Sequence, residues 1–110
     1  MAKSLGGDSK ANPSQEAKLR SAVSRSYFAV YCYSRNLAIK YLEFAPTHSV
    51  YDHKNLREHL KQHSKASVAR WLGDLRRFRD DCDYDDRVPN LQGVMIKSLE
   101  CAEKVFEELT

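Results

Sequence analysis

Residues 75–86, LRRFRDDCDYDD, set three arginines before five aspartates and one tyrosine. On a helix, Arg76 and Asp80 lie one turn apart, as do Arg79 and Asp83, so both can pair along its surface, although Arg before Asp is the weaker orientation. Carboxylates crowded at a helix C-terminus face the negative end of the macrodipole, so something must offset them. Two readings are open: a ladder of ion pairs closing a helix, or a polar binding site built on Arg79, Asp83 and Tyr84. Asp81, Asp83 and Asp85 have the spacing that opens a calcium loop, but the glycine and the bidentate glutamate such a loop needs are absent. No metal site is expected there.

Residues 24–35, SRSYFAVYCYSR, form the second candidate. Tyr27 and Tyr31 are one helical turn apart, with Arg25 and Arg35 at the margins. Tyrosines at this spacing serve as core packing. Beside arginine they also suit a phosphate and a base, because the guanidinium forks onto phosphate while a ring stacks. Among the histidines, His59 and His63 are four apart but lack the third ligand and glutamate of a helical zinc motif, and read as solvated side chains. His48, in the loop segment THSV, is the better candidate for work, since loops over a rigid scaffold carry functional groups. No phosphate-binding glycine loop, dinucleotide fingerprint or nucleophile elbow is present, and no cofactor is expected.

Helices must position these residues. Apolar groups recur at three- and four-residue steps from Leu19 through Ala22, Val23, Ser26, Val30, Tyr33, Leu37 and Tyr41, which predicts one long helix over 14–43. After the break at Pro46, Leu56 and Leu60 predict a shorter helix over 53–63. Val68, Trp71, Leu72, Leu75, Phe78 and Cys82 predict a third over 65–85, with Ser64 as its cap. Leu91, Val94, Met95, Leu99, Ala102, Val105, Phe106 and Leu109 predict a fourth over 90–109, capped by Asn90. No segment alternates like a strand. Short connections favour antiparallel neighbours, so the expected fold is all-α, an antiparallel four-helix up-and-down bundle. Residues 1–13 read as a flexible tail and 14–110 as the folded domain.

With 110 residues the chain builds one core rather than two. Apolar residues at 42% and charged residues at 30% exclude a disordered composition. A net charge of +3 permits an anionic partner without requiring one. The three cysteines, Cys32, Cys82 and Cys101, form no CxxC pair and suggest neither a disulfide framework nor a thiolate zinc site. A reducing, cytoplasmic setting is expected, with no membrane partner, because no run approaches the ~18 apolar residues of a membrane span.

Three segments in order carry a family resemblance. SRSYFAVYCYSR resembles the SRAYYAxFHAAR of small stand-alone prokaryotic HEPN proteins, THSV resembles their THSG, and LRRFRDDCDYDD resembles their LRxxRxxADYDD. Together they span about residues 22–86. The resemblance implies a HEPN-like bundle that forms a homodimer and binds a nucleotide or RNA. It also implies a cognate minimal nucleotidyltransferase as partner, in a toxin–antitoxin or defence module. Many HEPN proteins are metal-independent endoribonucleases with an arginine and a histidine near the dimer axis. Against the toxin pattern Arg-x4-His-x-Tyr, Arg77 and Tyr84 match, but Cys82 stands in the histidine's place. Cys32 likewise replaces the histidine of the first segment. A thiol with an ordinary pKa of about 8.5 is a poor substitute at neutral pH, and Asp81 and Asp83 make it harder to ionise. The resemblance therefore implies a nucleotide- or phosphate-binding face of Arg25, Tyr27, Arg77, Arg79, Asp83 and Tyr84. His48 is left as the one catalytic candidate, for a ribonuclease using arginines with it. The third possibility is a structural dimer or adaptor whose polar residues form a satisfied ion-pair network.

Overall fold

A computed structural model describes residues 13–84 and 87–110, and the described residues form four α-helices without a strand: α1 (Pro13–Tyr41), α2 (Asp52–Gln62), α3 (Ala66–Tyr84) and α4 (Leu91–Leu109). Each expected helix is present to within two residues at either end. Of the expected tail, residues 1–12 lie outside the described residues. Pro13 is instead the first residue of α1, where its fixed φ suits a helix start and its missing N–H costs nothing. With Glu16 in the first turn and Lys40 in the last, α1 carries charges that complement its dipole.

Helix α3 packs against each of the other three, α1 also lies along α4, and α2 rests chiefly on α3 with a lighter contact to α1. The main core joins Tyr27, Val30, Leu56, Leu60, Val68, Leu72, Leu75 and Val105 from all four helices. A second cluster joins Val23, Cys82 and Leu91, with Leu19, Phe78 and Met95 packed around it. Burying each leucine or valine stabilises the fold by about 1.5–3 kcal/mol.

The phase of α1 differs from expectation. On α1 the buried stripe is Val23, Tyr27, Val30, Tyr31, Ser34 and Ala38, so both tyrosines are core, while Tyr41 is exposed. On α4 the expected stripe holds at Leu91, Val94, Met95, Ala102, Val105, Phe106 and Leu109, with Ser98 also buried and Leu99 half exposed. Neither Ser34 Oγ nor Ser98 Oγ has a hydrogen-bond partner among the described residues.

The helix ends also correct the expected caps. Ser64 does not open α3 but closes α2: its φ is 63°, and the Lys65 amide reaches back to the Leu60 carbonyl at 2.8 Å, the six-residue closure of a left-handed C-terminal turn. Glu43 also turns left-handed (φ 60°) at the end of α1, with Phe44 N–H donating to the Ala38 carbonyl at 3.1 Å in a closure one residue wider, so α1 ends before Pro46 is reached. Asn90 precedes α4 with φ 53° and makes no side-chain cap bond. Its amide lies over Gly93, where a Cβ would clash with Nδ2. No helix among the described residues is long and apolar enough to cross a membrane.

Candidate functional site

Positions 24, 27, 28 and 31 fall on one side of α1, and this side meets the start of α2 and the second half of α3. The Tyr27 hydroxyl is hydrogen-bonded to Nδ1 of His53, the second residue of α2. The His53 ring stacks on Tyr31 at 4.2 Å between centroids and on Tyr27 at 5.6 Å. From α3, the Arg79 guanidinium lies 5.2 Å from the Tyr27 ring centre and 5.1 Å from that of Phe28, within cation–π range of both. Phe28 packs edge-on against Tyr27 at 5.4 Å yet remains 43% exposed. The result is an imidazole walled by two buried tyrosines, with an arginine and an exposed aromatic ring alongside.

Charge is concentrated around this pair. Burial lowers the His53 pKa, and the Arg76, Arg79 and Arg57 guanidiniums lower it further against the opposing pull of Asp52. The imidazole is thus neutral at pH 7, and the fitting tautomer accepts the Tyr27 proton at Nδ1 while Nε2 keeps its hydrogen. The Tyr27 hydroxyl is pushed up to about 12 by burial, partly countered by Arg76, Arg79 and Arg57, so it stays a neutral donor. Burial and then the Asp52 charge raise the Tyr31 pKa, while Arg35, whose guanidinium lies 5.7 Å from its ring centre, opposes them.

The arginines are only partly neutralised. Arg79 pairs with Asp80 at 2.8 Å, and its Nε faces Asp83 at 3.7 Å, a distance that serves an ion pair but exceeds a hydrogen bond. That Nε is buried and has no hydrogen-bond partner among the described residues. Arg76 reaches the same Asp80 at 3.9 Å. Arg57 turns back to the His53 carbonyl at 3.3 Å. Asp83 is in turn held by the Ser24 hydroxyl at 2.9 Å, which ties α3 to α1.

The loop before α2 is fixed by Asp52. Its carboxylate accepts the Thr47 hydroxyl at 2.6 Å, the Thr47 amide at 2.9 Å and the His48 amide at 2.8 Å, and these bonds hold the carboxyl below the usual range. His53 follows directly, so the anchored loop sets where the imidazole enters.

The structure thus brings Tyr27, Arg79 and Asp83 together. Arg25 is exposed on α1 and enters none of the contacts around Arg79. Tyr84 is 77% exposed at the end of α3. Arg77 lies on another face of α3, where it pairs with Asp74 at 3.4 Å and covers Phe78. His48 adopts φ 61° in the exposed loop, and its backbone rather than its ring is engaged. Cys82 is buried in the second cluster with its carbonyl accepting from Arg20, and its thiol pKa is raised by burial first and by Asp83 and Asp81 after that, against the Arg20 charge. His59 is not a solvated side chain: Nε2 bonds to the Leu42 carbonyl, and its ring stacks on His63 at 4.2 Å. No group of three or more acidic, histidine or cysteine side chains fit to hold a metal occurs among the described residues, which exclude Asp85.

His53, Arg57 and Phe28 were not singled out by the motifs. A signal existed for His53, which shares the buried face of α2 with Leu56 and Leu60 at helical spacing. Compared with protein-family models, with curated proteins and with solved structures, the chain finds no match in any of the three.

Proposed function

We propose that the chain is a HEPN-like antiparallel helical bundle of the cytoplasm that binds a nucleotide or RNA through its phosphates. The observation that carries this reading is the Arg79 guanidinium of α3 lying 5.2 Å from the Tyr27 ring beside the hydrogen-bonded His53–Tyr27 pair, where the charges of Arg57 from α2 and Arg76 from α3 are also felt. A partly neutralised arginine cluster suits phosphate, which guanidinium groups bind in bidentate fashion. Exposed Phe28, already under Arg79, supplies a face on which a base can stack. Homodimerisation and pairing with a minimal nucleotidyltransferase belong to the same proposal and rest on the motif resemblance alone.

The test is fluorescence anisotropy with a labelled single-stranded RNA octamer of mixed sequence. Binding that weakens steeply with salt supports the reading, since each neutralised phosphate releases counterions. Binding absent at low salt overturns it. A second reading, metal-independent RNA cleavage, needs an imidazole among arginines. His53 has that setting, whereas His48 enters none of the contacts around the cluster. Cleavage of the octamer lost in His53→Gln but kept in His48→Ala would favour it.

A further inference from the structure

We infer that His53 is the proton-coupled specificity residue of this site: it takes up a proton when a phosphate anion settles among Arg57, Arg76 and Arg79, so binding and protonation reinforce each other. The inference deepens the phosphate-binding reading and rests on it.

The geometry gives His53 a place to hold the proton. Its Nδ1 faces the Tyr27 hydroxyl, a group that can both donate and accept. With the imidazole neutral, the hydroxyl donates to Nδ1. With it protonated, Nδ1–H donates to the same oxygen and the phenolic hydrogen turns away. The heavy atoms keep their positions and no hydrogen bond is lost at Nδ1. The Tyr31 ring stacked at 4.2 Å offers its face to the imidazolium, a contact that strengthens with charge. Tyr27 itself stays protonated in either state, since its pKa stands at about 12.

The surrounding charges decide when the proton arrives. Facing His53 are Tyr27 and Tyr31 from α1, Asp52 and Arg57 from α2, and Arg76 and Arg79 from α3. In the free protein burial first and then the three guanidiniums disfavour a further positive charge, and the Asp52 charge opposes them. Asp52 is committed to Thr47 and His48, and Asp80 and Asp83 to the arginines of α3, so none is free to pair with the imidazolium. A phosphate supplies the missing negative charge: it cancels the guanidinium potential and attracts the proton directly. By linkage, the ligand then binds more tightly as pH falls through the His53 transition.

The experiment is a proton NMR pH titration of the wild-type protein, free and saturated with the RNA octamer. It follows the ring Hε1 resonances of its four histidines. The His53 signal is assigned by its loss in His53→Gln and, independently of that variant's folding, by nuclear Overhauser contacts to Tyr31. The expected result is a His53 pKa raised on binding by at least about one unit, a tenfold gain in proton affinity, with His48, His59 and His63 moving less. Bound RNA with the His53 titration unmoved overturns the inference and leaves the binding reading standing. An equal shift of all four histidines also overturns it, since that reports only the general field of the RNA. No RNA binding removes both.

Discussion

The hydroxyl of Tyr27, in the middle of α1, and Nδ1 of His53, at the start of α2, share a hydrogen bond across 26 residues of sequence. Replacing Tyr27 with Phe keeps the buried ring and its packing but leaves Nδ1 without a donor. The expected loss is about 1–2 kcal/mol, that of stranding a buried acceptor. Urea unfolding checks it, and a midpoint equal to that of the wild type would show that the bond does not contribute.

Acid should weaken the fold through His53. Its folded pKa is depressed, chiefly by burial and then by Arg76, Arg79 and Arg57. The unfolded chain therefore binds this proton more readily. The stability contributed by the neutral ring is complete above the ordinary imidazole value of about 6.5 and is lost as pH falls through the folded value. Asp52, also depressed, adds a further loss at lower pH. Unfolding midpoints of wild type and His53→Gln between about pH 4.5 and 7.5 isolate the histidine. The wild-type curve should be the steeper, and parallel curves would refute the assignment.

The unpartnered hydroxyl of Ser98 predicts a stabilising substitution. Ser98 is fully buried on α4 and its Oγ has no hydrogen-bond partner among the described residues. Ser98→Ala removes a desolvated polar group, loses little volume and favours the helix, for a gain of about 0.5–1.5 kcal/mol. Thermal unfolding reads it as a higher Tm. A lower Tm would mean that the hydroxyl is satisfied in solution.

Position 82 cannot regain a working histidine by substitution alone. Cys82 is 3% exposed among Val23, Leu91 and Phe78, so an imidazole there must displace the second core cluster. Cys82→His should cost about 1–3 kcal/mol through overpacking. It should also create no RNA cleavage, because the ring would be buried among apolar groups. A stable variant that cleaves the RNA octamer would contradict this.

The helices were legible because Leu56 with Leu60, and Leu72 with Leu75, repeat at helical steps that any packed helix must show. Their caps were not. Ser64 and Asn90 have the side chains of helix starters, but both adopt left-handed backbone that fixes the chain's direction instead. Within the site, Arg79 and Asp83 were readable from their four-residue spacing, which fixes neighbours on one helix. Ser24 meeting Asp83, and Tyr27 meeting His53, are contacts between helices, and spacing along the chain carries no information about them. The later part of the α1 stripe was missed for a related reason: Tyr27 and Tyr31 were readable as core packing, but only packing against the other helices decides that Ser34 and Ala38, rather than Leu37 and Tyr41, complete the buried face.

The central claim is that the arginines around His53 bind phosphate. Arg57→Gln with Arg76→Gln removes two guanidiniums while sparing Arg79, whose contacts with Tyr27 and Phe28 join α3 to α1. Affinity for the labelled RNA octamer, measured across a salt series, should fall at least about tenfold. The log–log salt slope should drop by up to about one to two units as phosphate contacts are lost. Circular dichroism should remain helical in the double variant. Unchanged affinity and unchanged salt slope in a folded double variant would contradict the account.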